Sequence, residues 1–147
     1  MEKTPLMKLN LCSPLFYNKI IQENTNLPAD LPKNEEFLYN YQLNPQQSQS
    51  IEPEKNQFLE VLLYTGRKIH NNEQTDNSQM VSLPQGYYLF VQERSNRALN
   101  QDEWLDLAIE QQLDGLWERY KLGNLLYVRF LHEDGAVVTQ VFRVCLP

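Results

Sequence analysis

Along Leu6-Met7-Lys8-Leu9-Asn10-Leu11 apolar and polar side chains alternate at most positions, the period-two signature of a strand with one face covered. Ser13-Pro14 then reads as a helix start, with Ser as cap and Pro in the first helical position, where no N–H is missed. The pattern predicts a short helix over about residues 14–22, stopped by Leu27-Pro28 and Leu31-Pro32. Residues 36–43 and 57–69, rich in Tyr, Leu and Val, are predicted as strands two and three, and residues 86–93 as strand four.

The strongest helical pattern follows Asn100, an N-cap with Glu103 placed three residues later to complete a capping box. Leu105, Ala108, Ile109, Leu113, Leu116 and Tyr120 line one face at helical spacing, and Trp104 and Trp117 flank it, reading as core ahead of contact residues. Asp102, Asp106, Glu110, Asp114 and Glu118 recur every four residues on another face. Gly123 is the expected left-handed end, and Gly115 inside the helix costs about 1 kcal/mol relative to Ala and invites a bend.

Residues 125–133 and 136–146 read as two strands joined by Asp134-Gly135, the favoured pair of a two-residue type I′ turn. That turn sets the register. It puts Leu131 opposite Val138, Arg129 opposite Gln140, Tyr127 opposite Phe142 and Leu125 opposite Val144. The whole order, β-α-β-β twice, predicts an α+β fold in a single domain of residues 1–147. Two tandem β-α-β-β modules, about 1–70 and 80–147, would be joined by a polar loop at 71–79. They would form a mainly antiparallel sheet with helices on one face and an open cleft face.

Charge narrows the partners. A net charge of −6, with Gly66-Arg67-Lys68 as the densest basic stretch, excludes direct nucleic-acid binding and an anionic membrane surface. No apolar run approaches a membrane span, and residues 1–13 lack a signal-peptide pattern, so a cytoplasmic protein is expected, with its two cysteines as free thiols. The 14 Asn and 14 Gln concentrate at 44–57 and 71–79, which read as solvated loops. His70 and His132 stand outside any metal-ligand spacing, and there is no phosphate loop or Gly-x-Ser-x-Gly elbow. No metal, cofactor or catalytic residue is assigned. A hydrolase with Glu60 as base lacks a nucleophile or orienting His.

The hairpin register gathers Tyr127, Arg129, Gln140 and Phe142 on one face, an aromatic and polar set of the kind ligand clefts use. Strand three puts Phe58, Glu60, Leu62 and Tyr64 together, with Glu60 related to Gln140 by the internal repeat. A carboxylate among aromatics suits a cation. The candidate ligand-binding residues are therefore Glu60, Tyr64, Tyr127, Arg129, Gln140 and Phe142. The same residues also read as a plain sheet face held by cross-strand pairs, and both readings stand. The acidic residues Asp102, Asp106, Glu110, Asp114 and Glu118 read as a solvated face or as a docking surface for a basic partner.

Leu83-Pro84-Gln85-Gly86-Tyr87-Tyr88-Leu89-Phe90 is similar to the Pro-x-Gly-x-Tyr opening of the second module in GyrI-like effector-binding domains, found alone or fused to MerR- and AraC-type regulators. Gln140-Val141-Phe142-Arg143-Val144-Cys145-Leu146-Pro147 resembles the closing strand of that family. The resemblance implies a stand-alone binding protein holding a small organic ligand between the two modules, with a cationic ligand as one option. The family's closing strand often carries a ligand-contacting Glu. Gln140 stands there in this chain, which leaves Glu60 to supply the carboxylate. The alternative expectation is a protein-interaction module, an inhibitor or accessory subunit. It would use the acidic helix or the open sheet face to bind a partner protein.

Overall fold

Nine strands and one long helix emerge from the computed structural model, which describes residues 2–3, 6–20, 31, 34–69 and 79–147. They are β1 Glu2–Lys3, β2 Met7–Leu11, β3 Leu15–Lys19, β4 Phe37–Leu43, β5 Leu59–Lys68, β6 Met80–Leu83, β7 Gly86–Ser95, α1 Gln101–Trp117, β8 Leu122–Glu133 and β9 Ala136–Cys145. One antiparallel sheet runs β7-β9-β8-β4-β5-β3-β6, with β1 and β2 end to end along the other side of β7. The sheet is thus eight strands wide, and it curls into a half-barrel that is 52% strand and 17% helical.

This replaces the two β-α-β-β modules. The predicted first helix at 14–22 is a strand over Leu15–Lys19, hydrogen-bonded to β5 and β6; residues 21 and 22 lie outside those described. Aromatic residues at 16 and 17 favour a pleated surface, and Pro14 precedes the strand, where its missing N–H breaks no ladder bond. Tyr17 turns inward and Phe16 outward, a period of two that a short window did not separate from a helix. Without that helix there is no internal repeat. Strands β1 and β6 were not anticipated, and of the predicted polar loop only Gln79 is described.

The open cleft face expected between two modules is replaced by the inside of one curled sheet. The link β2→β3 is Cys12–Pro14 and the link β6→β7 is Pro84-Gln85, yet each joins strands at opposite margins of the sheet. Three linking residues span at most about 14 Å, so the margins must come together. Irregular pairing of β4 with β5, between Asn40 and Tyr41 and again between Gln42 and Leu43, adds curl. Gly66 allows the close approach of β3, because a Cβ there would sit 2.7 Å from that of Tyr17. The inner face is consequently filled by a core of Tyr17, Leu38, Tyr88, Phe90, Tyr127 and Phe142.

The outer face of the curl carries the other core, roofed by α1: Trp104, Leu105 and Ala108 pack with Tyr41, Leu126, Val128 and Val141. Asn100 and Glu103 form the predicted capping box, with bonds of 2.9 and 3.0 Å. Arg97, and then the Asn100 amide, hold the Glu103 carboxyl down to about 2. The helix ends six residues before Gly123. Arg119 takes the left-handed position at φ 64°, and the N–H groups of Arg119 and Tyr120 donate back to Leu116 and Gly115 in a Schellman ending. Gly123 instead lies in β8 against Val144, where the register shifts between Leu122 and Leu126 and displaces the predicted Leu125–Val144 pair.

Polar side chains pin the helix as firmly as apolar ones. Gln111 Nε2 donates to the Leu89 and Val141 carbonyls. Gln112 Nε2 donates to the carbonyls of Gln47 and Ser50. Arg143, 1% exposed, donates at 2.7 Å to the Gly123 carbonyl, the Gln112 Oε1 and the Ser48 carbonyl. The segment after β4, expected as a solvated loop, is therefore anchored at Ser48 against the core.

The last hairpin forms as predicted, with Asp134 at φ 52° and Gly135 at φ 80° and Arg129 paired with Gln140. Gly135→Val forces a β-branched residue into that region at a cost of about 2 kcal/mol. A domain of this size should then melt about 4–8 °C lower. Calorimetry showing a midpoint shift under one degree would contradict the turn.

Candidate functional site

Two places bring together chemistry-bearing side chains. The first lies inside the curl, where β4, β8, β9 and β7 align Leu38, Arg129, Gln140 and Gln92 in one row. Arg129 donates through Nε to Glu36 Oε2 at 2.8 Å, with Nη2 at the same distance from that oxygen. Its Nη1 donates to Gln140 Oε1 at 3.1 Å, and Gln140 Nε2 donates to Gln92 Oε1 at 3.0 Å. The Tyr17 hydroxyl also donates to Glu36 Oε2, at 2.6 Å. Burial pushes the Tyr17 phenol far above its usual range, so it stays a donor.

Tyr127 and Phe142 sit beside this row, each edge-on to Tyr88 with ring centroids 6.1 and 5.8 Å apart. Tyr64 faces Asn40 on the same inner face and donates its hydroxyl to the Ser82 carbonyl. Burial, reinforced by Tyr127, raises its phenol far above the ordinary range. Five of the six predicted ligand-binding residues, Tyr64, Tyr127, Arg129, Gln140 and Phe142, thus share the inner face.

Glu60 does not join them. It is exposed and accepts a 3.3 Å bond from Gln42 Nε2. Its neighbours on β5 pair with Gln42 and Leu43, whereas Arg129 pairs with Leu38, four residues away along β4. That separation is about 13 Å of strand. The carboxylate at Arg129 is Glu36, which the sequence reading passed over. Its signal was the position just ahead of β4, informative only once β4 and β8 are known to be neighbours. Arg129 supplies Glu36 with its counter-charge from within the chain, so the cluster works as an internal brace and leaves no free carboxylate for a cation.

The second place is the outer side of α1. Asp102, Asp106, Glu110, Asp114 and Glu118 are all exposed there. Lys55 bridges Asp102 and Asp106 at 2.7 Å each, and those bonds raise its ammonium pKa. The two tryptophans part company. Trp104 is buried 5.2 Å from Tyr41, whereas Trp117 is 85% exposed. Leu113, predicted as core, is also exposed.

Beside Trp117 a hollow of about 430 Å³ opens between the end of α1 and β2, lined by Leu6, Lys8, Asp114, Trp117, Glu118 and Tyr120 among others. Lys8 Nζ lies over the rings of Tyr87 and Tyr120, 4.8 and 5.4 Å from their centroids. A second hollow of about 530 Å³ lies at the start of the helix, lined by Lys55, Asn56, Leu59, Asp102 and Leu105.

Among the described residues no three His, Cys, Asp or Glu side chains gather to hold a metal. His70 is outside those residues, and His132 Nε2 lies 2.6 Å from the Leu31 carbonyl. Cys12 is exposed and Cys145 buried, both free thiols. No described helix is long and apolar enough to cross a membrane. No protein-family model, curated protein or solved structure matches the chain.

Glu36→Gln strips the counter-charge from a largely buried guanidinium and should destabilise the domain by about 1–3 kcal/mol in urea unfolding. Glu60→Gln, at an exposed site, should change stability by less than about 0.5 kcal/mol. Equal effects of the two changes would contradict the assignment of Glu36 as the inner carboxylate.

Proposed function

We propose that the chain is a protein-interaction module that binds a basic partner through the outer face of α1. The observation that carries this reading is Trp117, 85% exposed at the end of a helix that carries four exposed carboxylates, with a fifth at its C-cap Glu118. An exposed indole offers a large, rigid apolar surface to a partner, and Trp is among the residues most enriched in binding hot spots. Lys55 offsets the row at Asp102 and Asp106, and the net negative charge that remains steers an oppositely charged partner and sets its orientation. The helix is fastened to the sheet by Gln111, Gln112 and Arg143, so the face is held ready before binding.

A small organic ligand inside the curl is the second reading. It rests on Asn40, whose buried Oδ1 has no hydrogen-bond partner among the described residues and which pairs across the sheet with Tyr64 and Tyr127. The packed inner core and the internally neutralised Glu36 favour the partner reading over it.

The test compares two variants of equal net charge. One carries Asp106→Lys, Glu110→Lys and Asp114→Lys on the helix, the other Glu52→Lys, Glu60→Lys and Glu93→Lys on other elements. A fluorescent lysine- and arginine-rich peptide is the probe, in titrations at low and at physiological salt. The helix variant should bind at least about tenfold more weakly than native, and the second variant within about threefold of it. Native binding should also weaken as salt rises. Equal losses in the two variants would show that net charge alone drives binding and would overturn the proposal.

A further inference from the structure

We infer that the hollow beside Trp117 receives an arginine side chain of the basic partner. The inference rests on the partner reading and gives it a specificity. Asp114 and Glu118 stand three residues before and one after Trp117, so the indole is flanked by carboxylates on the same helical turn. Among the described residues neither carboxylate has an ion-pair partner. The last turn of α1 carries no basic residue, although the partial negative charge of a helix C-terminus ordinarily attracts one. Arg119 and Lys121 lie beyond the last turn, and Lys8 is held over the Tyr87 and Tyr120 rings. Lys8 is thus the basic side chain in the lining of the hollow, and it is engaged by two tyrosine rings. Among the described residues it makes no ion pair with Asp114 or Glu118, so the Trp117 ring and both carboxylates are left for a cation from outside.

The shape of the hollow selects the cation. At about 430 Å³ it is within the range of small-ligand pockets, and Leu6, Met7 and the Trp117 ring supply the apolar part of a largely polar lining. An arginine fits each of these features. Its methylene stem lies along the apolar wall, and its planar guanidinium stacks on the indole. Its forked N–H groups reach carboxylates on two sides. A lysine ammonium is more strongly hydrated and offers no plane to stack, so it gains less from the same surroundings.

Two twelve-residue probe peptides test this, alike except that the basic positions are all arginine in one and all lysine in the other. Titrations follow peptide fluorescence polarisation and the emission of Trp117, with the buried Trp104 as a constant background. The arginine peptide should bind at least about fivefold more tightly and shield Trp117 from acrylamide quenching. Trp117→Ala, and separately Asp114→Asn with Glu118→Gln, should bring the arginine peptide down to the level of the lysine peptide. The melting temperature should stay near native, since all three residues are exposed. Salt-sensitive binding with equal affinities for the two peptides, or a preference that survives Trp117→Ala, would overturn the hollow as an arginine site while leaving the basic-partner reading intact. Absence of salt-sensitive binding by either peptide would overturn both.

Discussion

A single buried cation ties the parts of this fold together. Arg143 is a guanidinium in the core between α1 and the sheet, and no carboxylate meets it; its three bonds go to two backbone carbonyls and one amide oxygen. Burial lowers its pKa to about 10, still far above neutrality, so it remains charged. A buried charge is tolerated only where fixed dipoles replace its water, and here three separate segments supply them. Ser48 brings the turn after β4, Gln112 the middle of α1 and Gly123 the shifted start of β8. Any one of them out of place leaves N–H groups unpaired in the core, at a cost of about 1–3 kcal/mol each.

The two cores divide the work on either side of one sheet. The outer core seats α1, and the inner core closes the curl, with the Glu36–Arg129–Gln140–Gln92 row running through it. Arg129 and Arg143 solve the same problem differently. Arg129 is neutralised by an acid and keeps some access to water, whereas Arg143 is solvated entirely by dipoles. Neither leaves a charge on offer to a ligand. The acidic excess of the molecule lies at the surface, where α1 and its C-cap carry five exposed carboxylates, two of them bridged by Lys55, near the exposed indole of Trp117.

What the sequence disclosed follows from the range of the forces involved. The Asp134-Gly135 turn and the capping box at Asn100 are set by neighbours in sequence, and both form as read, together with the Arg129–Gln140 register. The failures lie where distant contacts decide. Leu15–Lys19 becomes a strand because β5 and β6 offer it ladder partners, against the local Ser-Pro cue for a helix. The curl depends on bulges in β4–β5 and on Gly66, none of which leaves a pattern in the chain. Glu36 escaped notice for the same reason, since its partner is 93 residues away. Trp117 was read as core from helical spacing, which does not reveal that the helix is already at its end there. The acidic period of four was legible at once, because it needs no partner to be seen.

The function proposed here requires α1 to be held in one place, and Arg143 is the residue that the account makes responsible. Arg143→Met keeps the length and apolar bulk of the side chain but strips the donors from Ser48, Gln112 and Gly123. The urea-unfolding free energy of that variant is the most direct test. A loss of at least about 3 kcal/mol is predicted, since three buried acceptors lose their bonds together. A variant as stable as the native protein to within about 0.5 kcal/mol would contradict the account, because the helix would then be seated by apolar packing alone.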